Sequence, residues 1–223
     1  MTPYTIRDMP TPVAAAALAD LAQCETATVG HWRHLGFMHR GIQSLLRGRR
    51  VVGTAVTLAI PGPDSTLLHH ALGLLRPGDI LVIDRLGDNR HACWGGAVTL
   101  AAKAAGAAAG IVDGPCTDLA EIEASAFPVW ARGLAPITTR LYDLGGYLNV
   151  PVSCGGAVVN PGDAVLADDS GVLVLPPADL AAVTADALSR QARSVERERA
   201  IRDDGARLGD LTGASAKVRA RLG

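Results

Sequence analysis

A chain of 223 residues that is 48% hydrophobic carries enough apolar material for one substantial core, and with 4% aromatics that core must be built from Ala, Val, Leu and Ile. A formal net charge of −1 gives no electrostatic footprint for nucleic acid or an anionic membrane, and no apolar run reaches the length of a spanning helix. The first twenty residues include Arg7, Asp8 and prolines, and lack the basic start and apolar centre of a signal peptide, so the expected location is cytoplasmic.

In chain order, residues 11–24 read as an Ala- and Leu-rich helix, followed by a polar and aromatic cluster with Gly30, His31, Trp32, Arg33 and His34. Residues 51–60 (VVGTAVTLAI) are apolar and β-branched and predict a buried strand, which Pro61-Gly62-Pro63 breaks. Asp64 can open a helix running through 67–75. Pro77-Gly78-Asp79 turns the chain into a second strand over 80–84, and residues 85–91 form a polar loop. Gly95-Gly96 opens an Ala-rich helix that Gly106 ends. A third strand over 107–112 enters the turn Asp113-Gly114-Pro115-Cys116-Thr117-Asp118, and a helical pattern resumes over 119–126. Residues 127–131 are a short extended piece. From 149 to 175, short apolar runs separated by Gly, Pro and Asp turns predict meandering strands, with Asp168-Asp169-Ser170-Gly171 as one of the turns. Pro176-Pro177 starts a long helix to about residue 202. Its charged second half reads as a solvated face or a docking arm, and residues 205–223 as a loosely held tail.

The strand–turn–helix around 111–118 organises the chain. Ligands of open α/β sheets sit beyond the carboxyl ends of strands. The turn puts Asp118 at or near a helix N-cap, where free N–H groups and the helix dipole favour a carboxylate. Capping alone would also account for it. Cys24, Cys93, Cys116 and Cys154 show neither C-x-x-C nor zinc-site spacing and read as free thiols, Cys116 being placed to line a site without acting as a nucleophile.

Val52-Gly53-Thr54-Ala55-Val56-Thr57, Trp94-Gly95-Gly96, Asp113-Gly114 through Asp118, and Phe127 through Gly133 together resemble the RraA-like family. Asn149-Val150-Pro151-Val152, Gly155-Gly156, Pro161-Gly162-Asp163 and Ala167 through Val172 extend the likeness over roughly 26–175. That family includes 4-hydroxy-4-methyl-2-oxoglutarate aldolases and the regulator of ribonuclease E activity. The resemblance implies an α/β fold, a swivelling β/α/β sandwich with helical N- and C-terminal extensions, in a homotrimer or hexamer with its site at the subunit boundary. The whole chain, 1–223, would then be one domain with its core at about 26–175 and a C-terminal helix and tail at 176–223. It also implies Mg²⁺ or Mn²⁺ held by an Asp that follows an Arg, the Arg gripping a pyruvyl carboxylate, an acid upstream that positions a water, and helix N-terminal N–H groups facing the ligand.

Asp118 matches the metal Asp. Thr117 stands at the Arg position and Gly96 at that of the acid. A Thr hydroxyl offers one neutral hydrogen bond where Arg offers a charged fork. The expected site therefore comprises Asp118 as metal ligand, Thr117 beside it, and Asp88 or His91 as replacement proton carriers. Arg90 would supply the missing charge, and Gly95, Gly96, Ala97 and Val98 would contact a small anionic substrate. The expected activity is a divalent-metal-dependent lyase of aldolase or decarboxylase type acting on a small oxo-acid, poor on the usual family substrates. The alternatives are a non-catalytic regulatory protein on the same trimeric scaffold, or a metal enzyme of another class such as an isomerase or hydrolase.

Overall fold

The computed structural model describes residues 3–222. In chain order its elements are β1 (Tyr4–Ile6), α1 (Ala15–Leu21), α2 (Thr26–Gly30), β2 (Gln43–Ser44), β3 (Val51–Ala59), α3 (Thr66–Leu72), β4 (Asp79–Asp84), α4 (Gly96–Ala104), β5 (Ala109–Val112), α5 (Leu119–Ser125) and β6 (Val129–Ala131). There follow β7 (Gly146–Leu148), β8 (Val152–Cys154), β9 (Ala157–Val159), β10 (Ala164–Asp168), β11 (Gly171–Leu175), α6 (Pro177–Asp203), α7 (Leu208–Leu211) and α8 (Ala214–Leu222).

Strands β3, β4, β5 and β6 lie side by side and parallel, with Thr54 opposite Asp79, Ile80 opposite Ala109 and Ile111 opposite Trp130. Each parallel crossover passes through one helix, α3, α4 or α5, as parallel pairing requires. The strands are apolar on both faces because both are covered. On β4, Leu81 and Ile83 enter the core beneath the three helices, while Ile80 and Val82 enter a second core. That second core is closed by the β8–β9 hairpin and by β10 and β11, of which β10 pairs antiparallel with the first half of β3 and β11 pairs antiparallel with β10. β10 and β11 are themselves two-sided. Ala164, Leu166, Leu173 and Leu175 face a third core with Leu21, Val29, Leu180 and Val183 from α1, α2 and α6. The result is the expected layered α/β sandwich with helices in both terminal regions.

Two local expectations are corrected. The first helix begins at Ala15 rather than residue 11, because the Val13 N–H donates to Thr54 Oγ1 (2.9 Å) and ties that stretch to β3. The C-terminal tail is helical, as α7 and α8, although it buries no residue. No helix among the described residues is long and apolar enough to cross a membrane.

The carboxyl ends of β3–β6 feed the loops that build the site. One of these, 134–145, is pinned by Asp64, which is 1% exposed. Its Oδ1 accepts from Thr66 N (3.0 Å), Thr66 Oγ1 (2.6 Å) and Tyr142 N (2.9 Å), and its Oδ2 from Leu144 N (2.9 Å). Burial pushes this carboxyl up, but the hydrogen bonds from Thr66, Tyr142 and Leu144 outweigh it and hold it below the ordinary carboxylate range.

Asp64→Ala is expected to cost about 2–4 kcal/mol, since it strands several buried donors. A carboxylate whose folded value is lowered stabilises fully above its unfolded value, near ~3.9, and loses that contribution as pH falls through the folded value. The urea midpoint of Asp64→Asn should therefore lie well below that of the parent at pH 7, and the gap should close below about pH 4. Equal midpoints at pH 7 would contradict this role.

Candidate active site

Above the sheet, the segments before α4 and before α5 run in parallel. Trp94 bridges Cys116, Thr117 N donates to Trp94 O (2.9 Å), and Cys116 in turn bridges Leu134. Trp94 anchors this layer: it is fully buried, stacks on Phe127 at 6.1 Å, and gives its indole N–H to Thr99 Oγ1 (2.9 Å).

Asp118 holds the two helix starts together. It occupies the N-cap position of α5 in the left-handed region (φ 54°, ψ 45°), so its carboxylate does not cap its own helix. Side-chain capping needs an extended N-cap residue. The carboxylate turns instead to α4, where Oδ2 accepts the Gly96 N–H (3.0 Å), and Thr117 Oγ1 lies 3.3 Å from Oδ1. The expectation of a capping Asp is thus corrected to a capping contact across two helices. The approach leaves no room for side chains: a Cβ on Gly95 would meet the Asp118 carboxylate and Thr117 Cγ2, and one on Gly96 would run into Glu121. Position 96, where the resemblance places an acid, is filled by the Glu121 carboxylate reaching back from the first turn of α5. Glu121 sits three residues after Asp118, a spacing that puts both on one helix face. That spacing was the available sequence signal for it.

Beside this pair lies a cleft of about 330 Å³. Of the expected residues, Gly95, Ala97, Val98, Thr117 and Asp118 line it. Gly96 is buried, does not line the cleft, and has its N–H committed to Asp118, so it is not free to cradle an anion. Asp88, Arg90 and His91 are absent from the lining. Asp88 works locally: Arg85 Nη2 donates to it (3.2 Å), as does His91 N (3.1 Å), while His91 Nδ1 pairs with it at 3.1 Å. Burial raises the Asp88 carboxyl, yet the His91 side chain and the backbone N–H groups of His91 and Arg90 bring it below the ordinary value. Arg90 is exposed.

The cleft supplies other groups in their place, namely Ser65 at the N-cap of α3, His69 from its last turn, and Thr138, Thr139 and Arg140 from the loop that Asp64 pins. Arg140 Nη1 donates to Thr138 O (3.2 Å), Thr138 Oγ1 (2.7 Å) and Thr139 O (3.1 Å). Those bonds fix the guanidinium by one nitrogen and leave its other donors for a ligand. No local sequence signal marks Arg140, because loop 134–145 has neither helical nor strand periodicity.

Cys116 is fully buried and does not line the cleft, whereas Cys93 does. Burial pushes the Cys93 thiol up to about 11, and Cys116 and Cys154 well above the ordinary thiol value, so none supplies a thiolate nucleophile at neutral pH. Asp168 and Asp169 serve the turn they sit in. Asp168 accepts from Thr26 N (2.9 Å) and Ser170 N (2.9 Å), and Asp169 from Gly48 N (2.9 Å). Among the described residues no cluster of three or more His, Cys, Asp or Glu is placed to hold a metal. The carboxylates beside the cleft are Asp118, which lines it, and Glu121 in the first turn of the same helix, α5, which reaches back toward Gly96. Such a hard-oxygen set suits a Mg²⁺ ion that keeps most of its waters.

A sequence model of the family described as RraA-like, Aldolase/RraA, matches residues 7–174. A relative from Halalkalibacterium halodurans, provisionally named 4-hydroxy-4-methyl-2-oxoglutarate aldolase, is 36% identical over 163 residues, 73% of this chain and 77% of the relative. Among solved structures, RraAS2 of Streptomyces coelicolor, described as an unusual member of the RNase ES inhibitor RraA family, superposes with a TM-score of 0.74 at 27% identity, covering 86% of this chain and 98% of that one. The RNA-processing inhibitor RraA from Thermus thermophilis superposes with a TM-score of 0.61 at 28% identity, covering 68% and 91%. With a family match over most of its length and this sandwich architecture, the chain belongs to the RraA-like family.

Proposed function

We propose that this protein is a divalent-metal-dependent carbon–carbon lyase for a small 2-oxo acid, with a carboxylate grip moved from position 117 to Arg140. The observation that carries this reading is that Arg140, Thr117 and Asp118 line one cleft. Asp118, with Glu121 near it, would hold Mg²⁺ or Mn²⁺, which supplies Lewis-acid polarisation of a carbonyl when bound. Arg140, held by Thr138 and Thr139, grips the substrate carboxylate by a charge-assisted fork. His69 is the imidazole lining the cleft and carries the proton to or from the carbon that loses its partner. Val98, Ala97 and Leu141 supply the apolar wall.

The cleft mouth also exposes Leu141, and the same loop exposes Leu134 (53%), Tyr142 (56%) and Leu144 (51%). Large apolar side chains crowded on one short loop mark a surface for association. A second copy of the chain covers it in this reading, as a ring-closed homotrimer or a pair of trimers. Light scattering at micromolar concentration should then give three or six times the chain mass, and a stable monomer would contradict it.

A second reading has an observation in its favour: two of the similar solved structures carry an inhibitor description, and Thr117 is neutral. It makes the protein a non-catalytic regulator on the same scaffold.

Asp118→Asn separates the two. Asparagine tolerates the left-handed backbone and its amide oxygen can still accept the Gly96 N–H, so the fold should be kept. The lyase reading predicts a Mg²⁺-dependent rise in melting temperature in the parent that the variant loses. With Arg140 taking the carboxylate grip, the expectation of poor turnover on the usual family substrates is reversed in this reading: the parent should release pyruvate from oxaloacetate or 4-hydroxy-4-methyl-2-oxoglutarate in a chelator-sensitive way, and the variant should do so at least ~10²-fold more slowly. No turnover by the parent, and no metal shift, would favour the regulator.

Arg140→Ala should raise KM for the oxo acid roughly ten- to hundredfold, the equivalent of losing one charge-assisted contact in a half-open site. Unchanged KM would remove Arg140 from the site.

A further inference from the structure

A second cavity, of about 360 Å³, lies between α2 and α6, on the side of the molecule covered by the terminal helices and away from the cleft. Its walls are Thr28 and His31 from α2 and its cap, and Arg190, Arg193, Ser194 and Arg197 from α6. The three arginines fall at positions i, i+3 and i+7, one stripe of the helix. α6 is packed through Ala187 and then runs outward, so this stripe begins where core packing ends.

The arginines are held, yet poorly neutralised. Arg190 lies over the Trp32 ring, 4.4 Å from its centroid, and its Nε donates to Asp186 Oδ2 (3.0 Å). A guanidinium fixed by one face and by Nε still offers the outer edge of both Nη groups. Arg193 Nη1 donates to Ser189 Oγ (3.0 Å) and Arg197 Nη2 to Ser194 Oγ (3.1 Å), partners that carry no charge. The nearby carboxylates are Asp186, taken by Arg190, and Glu198, which Ser194 Oγ approaches at 3.4 Å and which is not part of the wall. Three guanidinium groups, two hydroxyls and an imidazole thus converge on one space lined by no carboxylate.

A single carboxylate ligand would use one of these forks. A tetrahedral dianion presents acceptor oxygens in several directions and matches converging arginines on more than one side. The cavity is also larger than a bare oxyanion needs.

We propose that this pocket binds a small molecule through a phosphate group, with Arg190, Arg193 and Arg197 as the donors and Ser194 and Thr28 as hydroxyl partners. Binding would cross-link α2 to α6 and so clamp the C-terminal helix against the body of the protein. The inference is independent of the lyase reading, since no residue is shared with the cleft.

The test uses the full chain with inorganic phosphate as probe, followed by Trp32-sensitive fluorescence and by melting temperature, with sodium chloride at matched ionic strength as control. The expected result is a saturable fluorescence change and a rise in melting temperature that chloride does not reproduce. Arg193→Ala/Arg197→Ala should weaken the apparent affinity at least tenfold. Its melting temperature without phosphate should stay close to that of the parent, because both side chains are exposed and alanine favours helix. Asp118→Asn should respond to phosphate as the parent does. A phosphate response no larger than that to chloride, or one that survives in the double arginine variant, would overturn the proposal. So would a response lost in Asp118→Asn, which would place the phosphate in the cleft.

Discussion

The hydrogen bond from the Gly96 N–H to the Asp118 carboxylate is the contact on which the candidate site depends. It joins the first turns of α4 and α5, and three local features exist to permit it: no side chain at 95, none at 96, and a left-handed backbone at 118. A left-handed non-glycine residue costs on the order of 1–2 kcal/mol, tolerable here because Asp is among the residues least penalised there. The return is an exposed carboxylate fixed at a point where two helix dipoles present their positive ends, with Glu121 one turn along. In the proposed metal site, the lack of side chains around this carboxylate would leave room for the waters that Mg²⁺ keeps.

Asp64 and Asp118 show how environment divides labour between identical side chains. Asp64 is buried, accepts four hydrogen bonds, and spends its charge on fixing a loop. Asp118 is exposed and accepts one backbone bond, so it retains lone pairs for a ligand. The two act in series, because the loop that Asp64 fixes is the one that brings Arg140 to the cleft that Asp118 borders. Arg140 reaches this cleft from a segment 23 residues downstream of Thr117, a separation that a local motif cannot register.

The central strands were legible because both of their faces are buried: β3, β4 and β5 are largely apolar, β-branched runs bounded by Pro and Gly turns. The helices between them, and the meander of β10 and β11, followed from the same punctuation. Very short strands were not legible. β1 and β7 are three residues each and exist through pairing with each other and with β3, a tertiary effect. Asp118, Thr117, Gly95, Ala97 and Val98 meet at one cleft because they flank the strand–turn–helix junctions. Asp88, Arg90 and His91 were misplaced since a polar loop at a strand end can turn either way, and this one folds onto Arg85 and Gly62. The space that a side chain at Gly96 would take is occupied by the Glu121 carboxylate, a contact between two helix starts that the local pattern does not announce.

On the proposed function, the cleft beside α3 and the starts of α4 and α5 takes a metal ion and an oxo-acid carboxylate with a redistributed set of residues. A crystal structure grown with Mg²⁺ and oxalate decides it. The ion is expected beside Asp118, largely water-coordinated, with an oxalate carboxylate on Arg140. Oxalate held by Arg90 or His91, or an ion away from Asp118, would overturn this assignment.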